Sequence, residues 1–257
     1  MGPTPRTPAA NASHRNRRIV IFVVIGAALV VVVVMALVVF GGTKSTTGGA
    51  SPADRADRAA ARSMLLRGPD LPRGWRTAGH QASTARAVGS QLSTCLDASG
   101  PALFGNGVTA RSAVFSTNND ETQVFDAVEI DRTGGINAAL ANLQGPGWPT
   151  CVNAALQAVD QQALVRGNAV TGSSTAPLNV ARQLDPTVAT RTTLTIAGRG
   201  SPTTGSTLTI SVDLVVMRQG PVVELVEFLG TGAVFDANLQ QQLVTTLVDR
   251  VTASHLG

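Results

Sequence analysis

Residues 207–231 have the sequence TLTISVDLVVMRQGPVVELVEFLGT, and this stretch decides the fold of the chain. In its first half, residues 207–217, five apolar residues occupy every second position, and threonine, serine and aspartate fill most of the places between them. Such alternation is typical of a β-strand with one buried face. Gly220 and Pro221 separate this strand from a second apolar run, VVELVEFL. The stretch therefore predicts an antiparallel hairpin that turns at Gly220.

Three further segments carry strand patterns. Residues 190–198 read TRTTLTIAG and precede the hairpin across a loop rich in glycine and threonine. Residues 108–116 read VTARSAVFS, residues 122–130 read TQVFDAVEI, and the polar segment between them contains TNNDE. These last two segments predict a second hairpin. Together the patterns predict about five strands.

Helical patterns lie before, between and after the strands. Ser51 is followed by a proline and then by Asp54, which predicts a capped helix of about 15 residues. Residues 136–143 and 150–164 carry apolar residues at helical spacing, and Asp236 can cap a final helix. The apolar stripe of that final helix contains Leu239, Leu243, Val244, Leu247, Val248 and Val251. We expect an α+β fold, in which helices pack on an antiparallel sheet of about five strands.

Far from the sheet, residues 19–40 form the uncharged apolar run IVIFVVIGAALVVVVVMALVVF. As a helix its 22 residues would extend roughly 33 Å, about the thickness of the hydrocarbon core of a bilayer. Four arginines precede the run, and Lys44 is the basic residue that follows closely. This asymmetry predicts a cytoplasmic N-terminus and an extracytoplasmic remainder. A cleaved secretory signal is the alternative, but its apolar core typically has only about 7 to 15 residues.

These features divide the chain into four parts. Residues 1–18 are predicted to be a basic cytoplasmic tail, and residues 19–40 a single transmembrane helix in the cell membrane. Residues 41–52 are small, polar and glycine-rich, as in a flexible linker, and residues 53–257 are predicted to form the extracytoplasmic α+β domain. Beyond the span, 16 basic residues balance 16 acidic residues. The basic isoelectric point therefore reflects membrane topology, and nucleic acid is excluded as a partner.

Cys95 and Cys151 are the two cysteines of the chain, and both lie after the span. An even count in an oxidising compartment predicts one disulfide. A loop of this length would contribute roughly 4 kcal/mol as an upper figure. Two unpaired buried thiols are the alternative.

The order of the elements resembles that of a known protein family. Residues 70–75, DLPRGW, form a turn after the first helix, and a cysteine-bearing segment, a hairpin, a cysteine-bearing helix, three strands and a terminal helix follow. This order resembles the PknH-like extracellular sensor domain, a family of exported actinobacterial domains found on receptor kinases and on simple membrane anchors. The resemblance covers about residues 53–257, and it implies a sensor-like extracytoplasmic domain.

This sequence departs from that family in two respects. Kinase members carry a cytoplasmic catalytic domain, whereas 18 residues precede the apolar run here. The family domains carry two disulfides, whereas the two cysteines of this chain can form one. A sensory role that needs an intracellular output would therefore require a partner to supply it.

Several short motifs superficially suit a chemical site. Residues 230–233, GTGA, lie between a strand and a helix, but no further strand follows, so they predict a plain strand-to-helix connection and not a dinucleotide loop. His14, His80 and His255 have no partner at ligand spacing, and no G-x-S-x-G elbow is present. These observations predict no catalytic residue, no cofactor-binding residue and no metal ligand.

Two pairs of acidic residues lie on the predicted strands. Asp126 with Glu129, and Glu224 with Glu227, occupy polar positions of amphipathic strands. They predict a solvated face of the sheet in preference to general acid–base chemistry. We therefore expect a protein that is not an enzyme, with an uncharacterised hydrolase as the third-ranked hypothesis.

Trp75 and Trp148 are the two tryptophans, and each lies in a loop rich in proline and glycine. Packing at the edge of the core is the ordinary role of such a residue, whereas tryptophan is also enriched in binding hot spots. We hypothesise that both, with Arg73 and Arg76 as polar neighbours, line one recognition surface. The predicted function is a membrane-anchored, sensor-like or ligand-binding domain that recognises an unknown envelope ligand or protein. The alternative is a structural or assembly factor that binds another cell-envelope protein.

Overall fold

The fold is that of a computed structural model with an antiparallel sheet and helices packed on it. The described residues are 51–78, 107–117, 121–132, 140–141, 144–151, 168–181, 184, 187–198, 207–254 and 256. The helices are α1 (Pro52–Met64), a short 3-10 helix (Gly68–Asp70) and α2 (Ala237–Ala253). The strands are β1 (Arg76–Thr77), β2 (Val108–Arg111), β3 (Phe115–Ser116), β4 (Thr122–Ile130), β5 (Asn168–Pro177), β6 (Thr187–Gly198), β7 (Thr207–Gln219) and β8 (Val222–Thr231).

The sheet has the strand order β1-β3-β4-β8-β7-β6-β5, with β2 also paired to β4. Every pair in it is antiparallel. The predicted hairpin of residues 207–231 is confirmed as β7 and β8, and Gly220 turns it with a φ of 55°. These two strands form the centre of the sheet, which confirms the α+β class.

The predicted strand at residues 108–116 is divided in the structure. It forms β2 and β3 separately, because the register with β4 shifts by one residue between Arg111 and Phe115. The Ser112 hydroxyl accepts the backbone N–H of Asp126, at 3.0 Å, in place of a carbonyl oxygen. The described sheet therefore has eight strands where about five were predicted, since β1 and β5 were also missed.

Both long helices begin at the predicted caps. The Ser51 hydroxyl accepts the N–H of Asp54, and the Asp54 carboxylate accepts the N–H of Ser51, each at 3.0 Å. Asp236 accepts the N–H of Leu239 at 2.7 Å and starts α2. The helix α1 has 13 residues where about 15 were expected. The N–H groups in the first turn of a helix have no partner within the helix, so these side-chain hydrogen bonds stabilise the N-terminus of each helix.

The two helices cover the same face of the sheet, which we call the helix face. The stripe of α2 packs there against alternate residues of the central strands, including Val215, Val226 and Phe228. The end of α1 packs beside it on Val128 and Val222. On the opposite face, the alternate residues of β7 and β8 are also buried: Val212, Leu214, Val216, Val223, Leu225 and Leu229. Both faces of the central strands therefore belong to the core.

Some predictions fall on residues that the structure does not describe. The apolar run at residues 19–40 and the linker at 41–50 lie outside the described residues, as does Cys95. Of the two predicted middle helices, at residues 136–143 and 150–164, residues 140–141 and 150–151 are described and helical, and the second helical stretch begins earlier than predicted, at residue 147. Within the described part of the chain, no helix has the length and apolar character that crossing a membrane requires.

Candidate functional site

A cavity of about 290 Å³ lies between residues 144–149 and the adjoining ends of β5 and β6. Trp148, Pro149, Pro177 and Val188 provide its apolar wall. Its polar groups come from Gln144, Thr175, Thr187 and Thr190. A concave apolar site with a few polar groups is the usual form of a small-ligand site. This cavity is the candidate binding site of the described structure.

Local backbone geometry builds the cavity. The N–H of Trp148 donates to the carbonyl of Gly145 at 3.2 Å, so the segment GPGW closes into a turn. On the other side, the N–H of Leu178 donates to Ala189 at 2.9 Å, which continues the pairing of β5 and β6 beyond Pro177. Trp148 is only 5% exposed. Its ring is therefore held as a wall of the cavity.

The lining residues explain what this cavity could accept. None of the 11 described residues that line it has an ionisable side chain. A charged ligand would lose its hydration here without gaining an opposite charge, which is costly in a largely apolar environment. The hydroxyls of Thr175 and Thr192 are 3.1 Å apart and bond to each other beside the cavity. The site is therefore suited to an uncharged ligand that forms a few hydrogen bonds with the polar groups of the lining.

The predicted site residues occupy different environments. Trp75 is half-buried and packs on Phe235, with ring centroids 5.9 Å apart, at the edge of the helix-face core. Arg73 and Arg76 are exposed. Only Trp148 of the four predicted residues lines the cavity. That all four residues form a single recognition surface remains a prediction. The packing of Trp75 on Phe235 agrees with the alternative that this tryptophan packs at the edge of the core.

Sequence reasoning missed the rest of this cavity. Thr175 and Pro177 lie on β5, which was not predicted as a strand, and Thr187 and Val188 lie at the start of β6 before the predicted bounds. The GPGWP segment around Trp148 was the only part of the sequence that pointed to a site here. Residues that are far apart in the chain become neighbours here through strand pairing that their composition does not indicate.

The solvated sheet face predicted from the acidic pairs is wrong. Asp126, Glu129 and Glu224 are 0% exposed and Glu227 is 1% exposed, because both faces of the central strands are covered. Glu129 accepts hydrogen bonds from the N–H of Gly107, at 2.9 Å, and from the Thr109 hydroxyl, at 3.1 Å. Neither carboxyl oxygen of Glu227 has a hydrogen-bond partner among the described residues.

Burial changes the ionisation of three of these carboxyl groups. It raises the pKa of Glu227 well above its usual range. It also raises the pKa of Asp126 to about 7, against hydrogen bonds from Ser112 and Leu66 that lower it. Burial, followed by the adjacent charge of Asp126, raises the pKa of Glu224 well above its usual range. None of these groups lines the cavity, so they are separate from the candidate ligand site.

The GTGA segment is a strand-to-helix connection, as predicted. A Cβ placed on Gly230 would lie 2.2 Å from the carbonyl oxygen of Ala233 and 2.9 Å from the Ser211 hydroxyl oxygen. The glycine is therefore packed against its own loop, which leaves no space for a phosphate at this position. Among the described residues, no three His, Cys, Asp or Glu side chains are placed to share a metal ion.

This chain has structural likeness to solved proteins but no match among family profiles or curated proteins. Among solved structures, the chain is similar to the extracellular domain of PknH from Mycobacterium tuberculosis, with 16% identity and a TM-score of 0.37. The likeness covers 76% of this chain and 96% of that one. Function is therefore inferred from this chain's own residues.

Proposed function

We propose that this protein is a single-pass, membrane-anchored extracytoplasmic domain with a sensor-like role, and that it binds a small uncharged ligand in the cavity beside Trp148. The cavity is the observation that carries the ligand-binding part of this proposal. Its volume of about 290 Å³ is near the lower end of ligand sites, which are commonly about 300 Å³ or larger. A fragment-sized molecule, or one substituent of a larger molecule, would fill it.

The membrane anchor is supported by the uncharged run at residues 19–40 and by the arginines before it. With this topology, the domain would lie in an oxidising compartment, where a disulfide between Cys95 and Cys151 would persist. No free cysteine occurs among the described residues. Cys151 follows Trp148 by three residues, so this disulfide would hold the helical wall of the cavity in place.

Small aromatic probes of equal shape and different charge test the ligand proposal. Benzamide is neutral, benzoate is an anion and benzamidine is a cation at neutral pH. We expect benzamide to bind with a dissociation constant on the order of 1 mM, and both charged probes to bind at least about tenfold more weakly. Saturation-transfer NMR with the full chain in neutral detergent measures all three.

Two phenylalanine variants provide the matched comparison. Thr190→Phe would fill the cavity and should abolish benzamide binding, whereas Ser174→Phe, on the exposed surface of β5, should leave it unchanged. Equal binding of the three probes, or binding that survives Thr190→Phe, would contradict the proposed site. Absence of binding to any probe would also count against it.

Protease accessibility tests the proposed topology. Protease added to intact cells with a permeable wall should degrade the region after residue 41 and spare residues 1–18, since the arginine-rich side of a span stays in the cytoplasm. A tag at each end of the chain reports the two outcomes by immunoblot. A C-terminal domain that resists protease until the cells are lysed would overturn the topology.

An assembly factor that binds another envelope protein is the second-ranked proposal. A protein interface would favour a broad exposed apolar patch. In the described part of the chain, Val234 is the exposed large apolar residue. The cavity beside Trp148 is therefore the stronger of the two observations, and a small ligand is ranked first.

A further inference from the structure

Two buried carboxyl groups lie where the end of α1 meets the sheet. Asp126 of β4 and Glu224 of β8 project from the helix face of neighbouring strands, and both are 0% exposed. Each carboxyl oxygen of Asp126 accepts the backbone N–H of Leu66, at 3.2 Å. Leu66 lies two residues after the last residue of α1. The carboxyl pair is therefore part of the surface on which the end of α1 rests.

Positive charge near the pair comes from α2. Among the described residues, Arg250 is the cation whose charge reaches both Asp126 and Glu224. Arg250 is already bound to Asp70 of the 3-10 helix, through hydrogen bonds of 2.6 and 2.9 Å. In the described part of the chain, no hydrogen-bond donor is placed on the oxygens of Glu224. The positive charge of Arg250 would thus be shared by up to three carboxylates, those of Asp70, Asp126 and Glu224.

The other charged groups nearby are directed elsewhere. Asp57, the charged residue among the buried side chains of α1, is bound by Arg132 at 2.8 Å. Glu129 and Glu227 project from the opposite face of β4 and β8. The α1 end meets the pair with a backbone N–H and no basic side chain. A second negative charge on the pair would therefore be poorly compensated.

We propose that the protons held by the buried Asp126 and Glu224 carboxyl groups keep the end of α1 on the sheet, and that loss of these protons opens the α1 junction as the surrounding pH rises. The pair thus acts as a pH-responsive joint at the C-terminal end of α1. This proposal is independent of ligand binding in the Trp148 cavity, since neither carboxyl group lines it.

The direction of the pH effect follows from proton linkage. An unfolded Asp or Glu loses its proton near pH 3.8 or 4.5, whereas burial raises the pKa of the folded Asp126 to about 7 and raises the pKa of the folded Glu224 well above its usual range. Between these values the closed state holds protons that the open state lacks. The junction is therefore most stable in acid, and its opening constant rises up to about tenfold per pH unit for each retained proton.

Hydrogen exchange measured by mass spectrometry on the full chain in neutral detergent tests the proposal. Exchange is compared at about pH 5.5 and about pH 8, after correction for the chemical exchange rate. We expect protection of residues 52–66 to fall at least about tenfold more than protection of α2 over this range. Equal loss in both segments, or no loss in α1, would overturn the proposal.

Amide variants identify the group responsible. Glu224→Gln keeps the shape of the side chain and removes one of the two titrating groups, so the α1 protection should fall less steeply with pH than in the wild type. Asp126→Asn should have the same effect and replaces the first variant if circular dichroism shows that Glu224→Gln is unfolded. Glu227→Gln, on the opposite face, is the matched control and should retain the wild-type response in α1. A wild-type response in a folded Glu224→Gln or Asp126→Asn variant would contradict the proposal.

Discussion

Replacing Asp213 by alanine is expected to lower the free energy of unfolding by about 2 to 3 kcal/mol. Asp213 lies on β7 with its side chain 1% exposed, and both of its oxygens bind Arg191 of β6, at 2.5 and 2.6 Å. Gln240 of α2 donates to the same carboxylate at 2.9 Å. The variant would leave the buried Gln240 amide and the partly buried Arg191 guanidinium without this acceptor, and an unpaired buried polar group is costly.

Urea unfolding followed by circular dichroism measures this loss. Asp57→Ala is the matched control, because Asp57 also binds an arginine with two hydrogen bonds, but its partner Arg132 is 60% exposed. Exposed ion pairs contribute about 0 to 1 kcal/mol, so the control should change stability little. A loss from Asp213→Ala no larger than that from Asp57→Ala would mean that the network does not stabilise the packing of α2.

Gly230→Ala is expected to destabilise the domain by about 3 kcal/mol, the upper part of the range for overpacking a core. The new methyl group would lie 2.2 Å from the carbonyl oxygen of Ala233 and 3.0 Å from the backbone nitrogen of Phe235. Both contacts are with backbone, so the loop between β8 and α2 would have to shift. Phe235 packs on Phe228 with ring centroids 4.8 Å apart, and that contact would be disturbed.

Gly172→Ala provides the comparison for this prediction. Gly172 also lies in a strand, β5, but a Cβ there would meet only Thr195 atoms at 3.9 Å, an ordinary contact. Thermal unfolding of the two variants should therefore show a large loss for Gly230→Ala and a change within about 0.5 kcal/mol for Gly172→Ala. Similar melting temperatures for the two variants would contradict the steric argument.

The parts of the fold that were predictable are those with local signals. The β7–β8 hairpin has alternation and a glycine turn, and both long helices have side-chain caps. The strand β5 has the sequence NAVTGSSTAP, in which small polar residues give no alternation, so its place depends on pairing with β6. Pairing between distant segments is not encoded in either segment alone.

The acidic residues of the central strands show a second limit. Alternation identifies which positions of a strand share a face, but it does not reveal whether that face is covered. Glu224 and Glu227 lie on opposite faces of β8, and helices or other parts of the chain exclude solvent from both. Only the tertiary arrangement shows that these carboxyl groups are buried. The candidate cavity was similarly predictable at Trp148 alone.

Arg250 joins segments from the two ends of the described chain. Its guanidinium donates to the carbonyl of Leu65, 185 residues earlier, at 2.7 Å. Such a long loop is costly to close and tends to slow folding. Because synthesis proceeds from the N-terminus, α1 emerges before the sheet strands and α2, and its packing surface is complete only when α2 has been made. Nascent chains lacking the last helix would expose the apolar helix face, which makes them natural clients for chaperones or proteases.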